Sequence, residues 1–208
     1  MLKISGFQKS YGNKAVLDIP FAEIPHGLHL VQGRNGSGKS TLFRCLAGIS
    51  PFIGSVVLGQ TDLKSNPVSY RRRVNFSEAE PVYPAVLSGR ELLEFSAAVR
   101  ETDAGKVEEL AGRLGLDLYF ENPAGTYSSG MSKKIAVAMA FLGRPDLIIL
   151  DEPFNALDAA SCLALQELIS EELKSGTSFL ISSHTEIFPE DFPAGNTYRI
   201  EGGLFQPG

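Results

Sequence analysis

Two hydrophobic rhythms alternate along this chain. Short runs with a period of two, Leu2 to Phe7, Val16 to Ile19 and Leu28 to Gln32, are punctuated by Pro20, Pro25 and Gly27 and predict strands. A glycine-rich stretch then leads into a helical segment, Thr41 to Ala47, with Gly48 at its stop position. Ser55 to Leu58 and Arg72 to Phe76 read as a further strand pair, with Arg71-Arg72-Arg73 as a solvated lead-in. Beyond them the rhythm lengthens to that of a helix. Ser88 is placed to cap Arg90 to Val99, Ala104 to Leu114 has helical apolar spacing, and Ile135 to Leu142 reads as a buried helix, so residues near 80–140 form a mainly helical insertion. Leu147-Ile148-Ile149-Leu150 is apolar at every position, as a central strand covered on both faces requires. A helix from Ala159 to Lys174, a strand from Ser178 to Ser182 and a small meander around Tyr198 to Phe205 complete the pattern. Strands followed by strand–helix alternation predict an α/β core with an antiparallel flap.

Composition narrows the function classes. A chain of 208 residues with 43% hydrophobic and 21% charged residues lies in the ordinary globular range, which excludes a disordered or fibrous protein. The formal net charge of −5 means that a bound polyanion must be held by a local site, and it argues against nucleic acid as a main partner. No apolar run approaches the roughly 20 residues that span a bilayer. The two cysteines, Cys45 and Cys162, match no ligand spacing and read as buried or near-surface residues. With so few thiols and no secretory leader, the expected compartment is the cytoplasm.

The glycine-rich stretch carries the chemistry. Gly33-Arg34-Asn35-Gly36-Ser37-Gly38-Lys39-Ser40 has the spacing of a phosphate loop, in which glycines permit a tight turn and backbone N–H groups converge on phosphate at a helix N-terminus. Thr41 extends the same turn. Lys39 would neutralise the β- and γ-phosphates of a nucleotide such as ATP, and the Ser40 hydroxyl would coordinate Mg²⁺. Asp151 and Glu152 follow the fully apolar run, at the strand end where α/β sheets bind ligands. Adjacent strand residues point in opposite directions, so Asp151 can approach the metal while Glu152 addresses a water in line with the γ-phosphate.

Between these motifs stands Tyr127-Ser128-Ser129-Gly130-Met131, followed by Ser132-Lys133-Lys134 and, before the acidic pair, Arg144-Pro145-Asp146. In this order the chain resembles an ATP-binding subunit of an ABC transporter over essentially its whole length. The resemblance implies one domain, 1–208: a phosphate-loop NTPase core (about 1–79 and 141–208) with a mainly parallel sheet, an N-terminal antiparallel β subdomain and an inserted helical subdomain (about 80–140). It implies that Tyr11 stacks on adenine, an aromatic that as a residue could equally be a turn or core group. It also implies that Asp158, in Asn155-Ala156-Leu157-Asp158, belongs to a loop that communicates across the nucleotide. His184, in Ser182-Ser183-His184, would contact the γ-phosphate. His26 and His29 match no motif. A head-to-tail dimer with a second ATPase subunit is implied, with Ser128 and Gly130 serving the partner's γ-phosphate. So is a separate integral membrane permease, on whose cytoplasmic face the chain would sit, with residues near 80–87 in contact.

Two departures stand out. Ser129 replaces a signature glycine and Met131 a glutamine, a Cβ and a lost polar contact that bear on rate. Where the family carries a metal-reaching Gln, this chain has Glu78, with Glu80 the alternative. A carboxylate there can still coordinate Mg²⁺ but adds negative charge beside a triphosphate. The rival functions are a soluble ABC ATPase that scaffolds assembly, as in iron–sulfur biogenesis, and a small-molecule kinase.

Overall fold

The computed structural model describes residues 1–183 and 195–208. Two sheets organise them. β1 (Leu2–Tyr11), β2 (Lys14–Ile24), β4 (Ile53–Leu58) and β5 (Thr61–Asp62) form an antiparallel sheet in the order β2-β1-β4-β5. β3 (Leu28–Gln32), β6 (Val74–Ser77), β7 (Leu147–Leu150), β8 (Ser178–Ser183), β9 (Thr197–Glu201) and β10 (Leu204–Pro207) form the second, ordered β10-β9-β3-β8-β7-β6. Within it the β9–β3, β3–β8, β8–β7 and β7–β6 pairs are parallel and only β10 runs against its neighbour. This is the α/β core with an antiparallel flap that the pattern predicts, with the mainly parallel sheet that the resemblance implies.

The helices are α1 (Lys39–Leu46), α2 (Pro67–Arg72), α3 (Gly89–Val99), α4 (Ala104–Leu114), α5 (Ser129–Ala140) and α6 (Ala159–Lys174). Caps fix their starts. Ser88 and Glu91 form a reciprocal capping box at α3, Asp103 caps α4 and Asp158 caps α6, while Gly115 in the left-handed region ends α4. Arg113 ties α4 to α6 through Glu171 at 2.6 Å.

The parallel sheet is buried on both faces. Ile148 and Leu150 of β7 join a core with Leu93, Leu110, Ile135 and Leu165 from the helices, whereas Leu147 and Ile149 join a second core with Phe43 of α1 and Ile4 and Val56 of the antiparallel sheet. The strict alternation follows from the period of two.

Sequence expectation and structure part company between residues 53 and 77. The strands there do not pair: β4 lies in the antiparallel sheet and β6 at the edge of the parallel one. Arg71 and Arg72 close helix α2 instead of opening a strand. Arg73, read as solvated, bonds the Leu58 carbonyl at 3.0 Å and the Thr61 hydroxyl at 2.7 Å and pairs with Asp146, fastening one sheet to the other. Pro67 directly after Asn66 was the available signal for α2, since proline favours the first turn of a helix.

Candidate functional site

Four parallel strands end on the same edge, and each delivers part of the site. β3 runs into the phosphate loop, β6 into Glu78, β7 into Asp151 and β8 into Ser182 and Ser183. The edge opens into a cleft of about 640 Å³ lined by Tyr11, Asn35, Gly36, Gly38, Lys39, Ser40, Thr41, Glu78, Asp151 and Glu152, with Arg44 and Glu80 beside them. Gly33 and Ser37 line a second cavity of about 600 Å³ behind the loop. Ser128, Gly130 and Asp158 line neither, and His184 lies outside the described residues.

The loop's glycines are required by geometry. Gly38 has φ 109° and a Cβ there would stand 3.0 Å from Leu17 Cδ2; a Cβ at Gly33 would stand 2.6 Å from Ser37 Oγ. Among the described residues no side chain caps α1, whose first-turn N–H groups have no partner within the helix. Lys39 is buried and folds over the loop, donating to the Gly33 carbonyl at 2.7 Å and the Arg34 carbonyl at 3.4 Å. An ammonium has three donors, so one remains for a phosphate oxygen and two brace the loop around it.

The acidic pair is held by Ser182, a residue that the sequence places beside His184 without a role of its own. Because β8 lies between β3 and β7, the Ser182 hydroxyl reaches across and donates to Asp151 Oδ1 at 2.5 Å, and it accepts the Glu152 N–H at 2.8 Å. Asp151 is 1% exposed. Glu152 stands in the left-handed region at φ 49°, and Asn155 Nδ2 donates to its Oε2 at 2.8 Å. Glu78 faces the cleft too, paired with Arg44 of α1 at 3.2 Å. That guanidinium offsets the extra negative charge which a Glu brings to this position, and its separation of 34 residues hides it from local sequence reading.

The second helix terminus is built differently. Ser128 caps α5, accepting the Met131 N–H at 3.2 Å, and the Met131 sulfur lies 3.5 Å from the Ser128 N–H, so the thioether takes up the place of the missing glutamine in the capping box. Tyr127 fills the leading apolar position and adds a polar handle: its hydroxyl accepts the Gly89 N–H at 2.7 Å and lies 2.9 Å from the Asn122 carbonyl. A Cβ at Gly130 would stand 2.6 Å from the Ala156 carbonyl, so the loop of 155–158 rests directly on this glycine. Asp158 pairs with Lys134 at 2.6 Å, and that bond with the Ser161 N–H holds its carboxyl far below the ordinary range. Lys133 is 2% exposed among backbone carbonyls, and burial pulls its ammonium down to about 8.

Comparison with known proteins gives the family. A family model described as ABC transporter matches residues 22–155. The chain belongs to the ABC transporter family. A lantibiotic transport ATP-binding protein, SrtF of Streptococcus pyogenes, is 30% identical over 186 residues, 88% of this chain and 80% of its own. A solved ATP-binding subunit of an ABC transporter superposes with TM-score 0.88 at 26% identity, covering 100% of this chain and 89% of that one. The dimeric ATP-binding cassette MJ0796, bound to ADP and Pi, shares the fold with TM-score 0.85 at 18% identity, covering 98% and 96%. This ABC protein is an ATPase and a transport subunit. Among its described residues no helix is long and apolar enough to cross a membrane.

Proposed function

We propose that the cleft at the strand ends binds Mg-ATP and that Glu152 polarises the attacking water. The observation that carries this reading is the convergence of Lys39, Ser40, Asp151 and Glu152 on one cleft from strands and a helix that packing holds rigid. The donors for a metal are Ser40, Asp151 and Glu78, all hard oxygens. Mg²⁺ takes few protein ligands and completes its shell with phosphate and water. When bound, it would supply charge neutralisation at the β- and γ-phosphates. Lys39 and the α1 N-terminus bind the same phosphates, Tyr11 stacks on the base, and His184 serves the γ-phosphate.

In this reading the helices of residues 80–140 form a unit on a core of 1–79 and 141–208, and Ser128 and Gly130 contact ATP held by a second ATPase subunit. Asp158 belongs to that junction. The dimeric fold relative supports the pairing. ATP bridges the subunits and hydrolysis removes the bridge, so differential contacts in the two states drive a separate membrane permease from its cytoplasmic face. Exposed Val82 and Val86, with Phe95 and Val99 of α3 nearby in sequence, suit the permease contact. The test is Glu152→Gln: ATP binding is expected to persist while turnover falls about a hundredfold or more. Wild-type turnover in that variant would remove Glu152 from the reaction.

A further inference from the structure

Lys133 lies on the second turn of α5, close behind the Ser128 cap, and its ammonium points into the protein. It donates to the carbonyls of Glu78 at 2.7 Å, Ala79 at 3.4 Å and Asp151 at 2.6 Å. Three donors meet three acceptors, from two segments 55 and 18 residues away in sequence. A buried ammonium is costly to keep, and an apolar chain of the same length would fill the space without that cost. The charge is therefore best explained by what it holds.

It holds the peptide between Asp151 and Glu152. Lys133 fixes the carbonyl of that peptide, and Ser182 accepts its N–H at 2.8 Å. Pinned at both ends, the peptide plane cannot turn, and Glu152 stays in the left-handed region at φ 49°, which sets the direction of its carboxylate. The same ammonium fixes the backbone of the segment that carries Glu78. We propose that Lys133 is a positioning residue of the ATPase reaction, orienting Glu152 through the Asp151–Glu152 peptide and tying that orientation to the helix that presents Ser128 and Gly130. The proposal rests on the reading of Glu152 given above. It makes one side chain responsible for keeping the water-polarising group in register with the surface offered to the second subunit.

A double-mutant cycle on the full chain tests it. Lys133→Met keeps the length of the side chain and loses all three bonds. Its kcat is expected to fall about tenfold to a hundredfold, with equilibrium binding of a fluorescent ATP analogue changed by less than about threefold. Lys133→Arg, which keeps charge and donors, is expected to recover part of the rate. In the Glu152→Gln background, Lys133→Met is expected to lower single-turnover hydrolysis no further, because the group it orients is already gone. A folding defect alone would reduce the titrated number of ATP sites without changing the rate per site. Wild-type kcat in Lys133→Met, or a loss that multiplies with that of Glu152→Gln, overturns the proposal. Should Lys133→Met not fold, Lys133→Gln enters the same cycle with the same criteria. Wild-type turnover in Glu152→Gln alone, seen before Lys133 is changed, overturns the role of Glu152 and this inference with it.

Discussion

In the function proposed above the N-termini of α1 and α5 both serve phosphate, yet one is finished by its own chain and the other is not. At α1 the cap is Gly38, no side chain of the described residues caps the helix, and Lys39, Ser40 and Asp151 line the same cleft. At α5 the cap is Ser128, whose oxygen already accepts the Met131 N–H, and the neighbouring Lys134 is engaged with Asp158. The α1 end has glycine where a ligand must approach, and the α5 end has glycine where its own chain approaches, at the Ala156 carbonyl. The contrast teaches that a helix terminus becomes a nucleotide site through what its surroundings leave open. In the function proposed above, a second subunit makes the α5 end functional.

That contrast can be broken at three positions. Gly38→Ala places a Cβ at φ 109° and against Leu17, a strain of about 1–3 kcal/mol, so ATP affinity of the isolated subunit is expected to drop about tenfold to a hundredfold by fluorescence titration. Gly130→Ala leaves the α1 cleft untouched but pushes on the Ala156 carbonyl at 2.6 Å, overpacking worth about 1–3 kcal/mol. Its ATP affinity as a monomer is expected to stay within about threefold, while ATP-dependent dimerisation in light scattering weakens about tenfold. Equal losses of monomer binding in the two variants would erase the distinction between the termini. Asp158→Ala removes a cap and an ion pair at the protein surface, and Tm is expected to fall by about 2–4 °C with the nucleotide affinity of the monomer unchanged.

What was legible in the sequence was local. The phosphate loop is a strand, a turn and a helix in direct succession, so spacing alone sets its geometry, and β3, α4, β7 and α6 have the boundaries that periodicity and caps give them. Where a function depends on a side chain crossing from one element to another, the sequence was silent. Ser182 reaches Asp151 across 31 positions, Lys133 reaches Glu78 across 55 and Arg44 pairs with Glu78 across 34, and none of the three has a neighbour in sequence that announces its partner. Arg73 misled for the same reason, since two exposed arginines precede it and only the docking of the two sheets buries its contacts. Glu78 was visible as a departure, while its compensation by Arg44 was not.

The alternating side chains of β7 also bear on how the chain reaches this state. Leu147 and Ile149 belong to one hydrophobic layer, Ile148 and Leu150 to the other. Neither layer can condense without ordering half of this strand, so β7 is common to every route by which the two cores assemble. A folding intermediate with a single layer complete must present the opposite row of β7 to solvent as an apolar stripe beside its parallel neighbours. β3 and β8 divide their side chains between the same two layers, so the stripe runs across all three strands, and the elements of whichever layer closes second act as its cover.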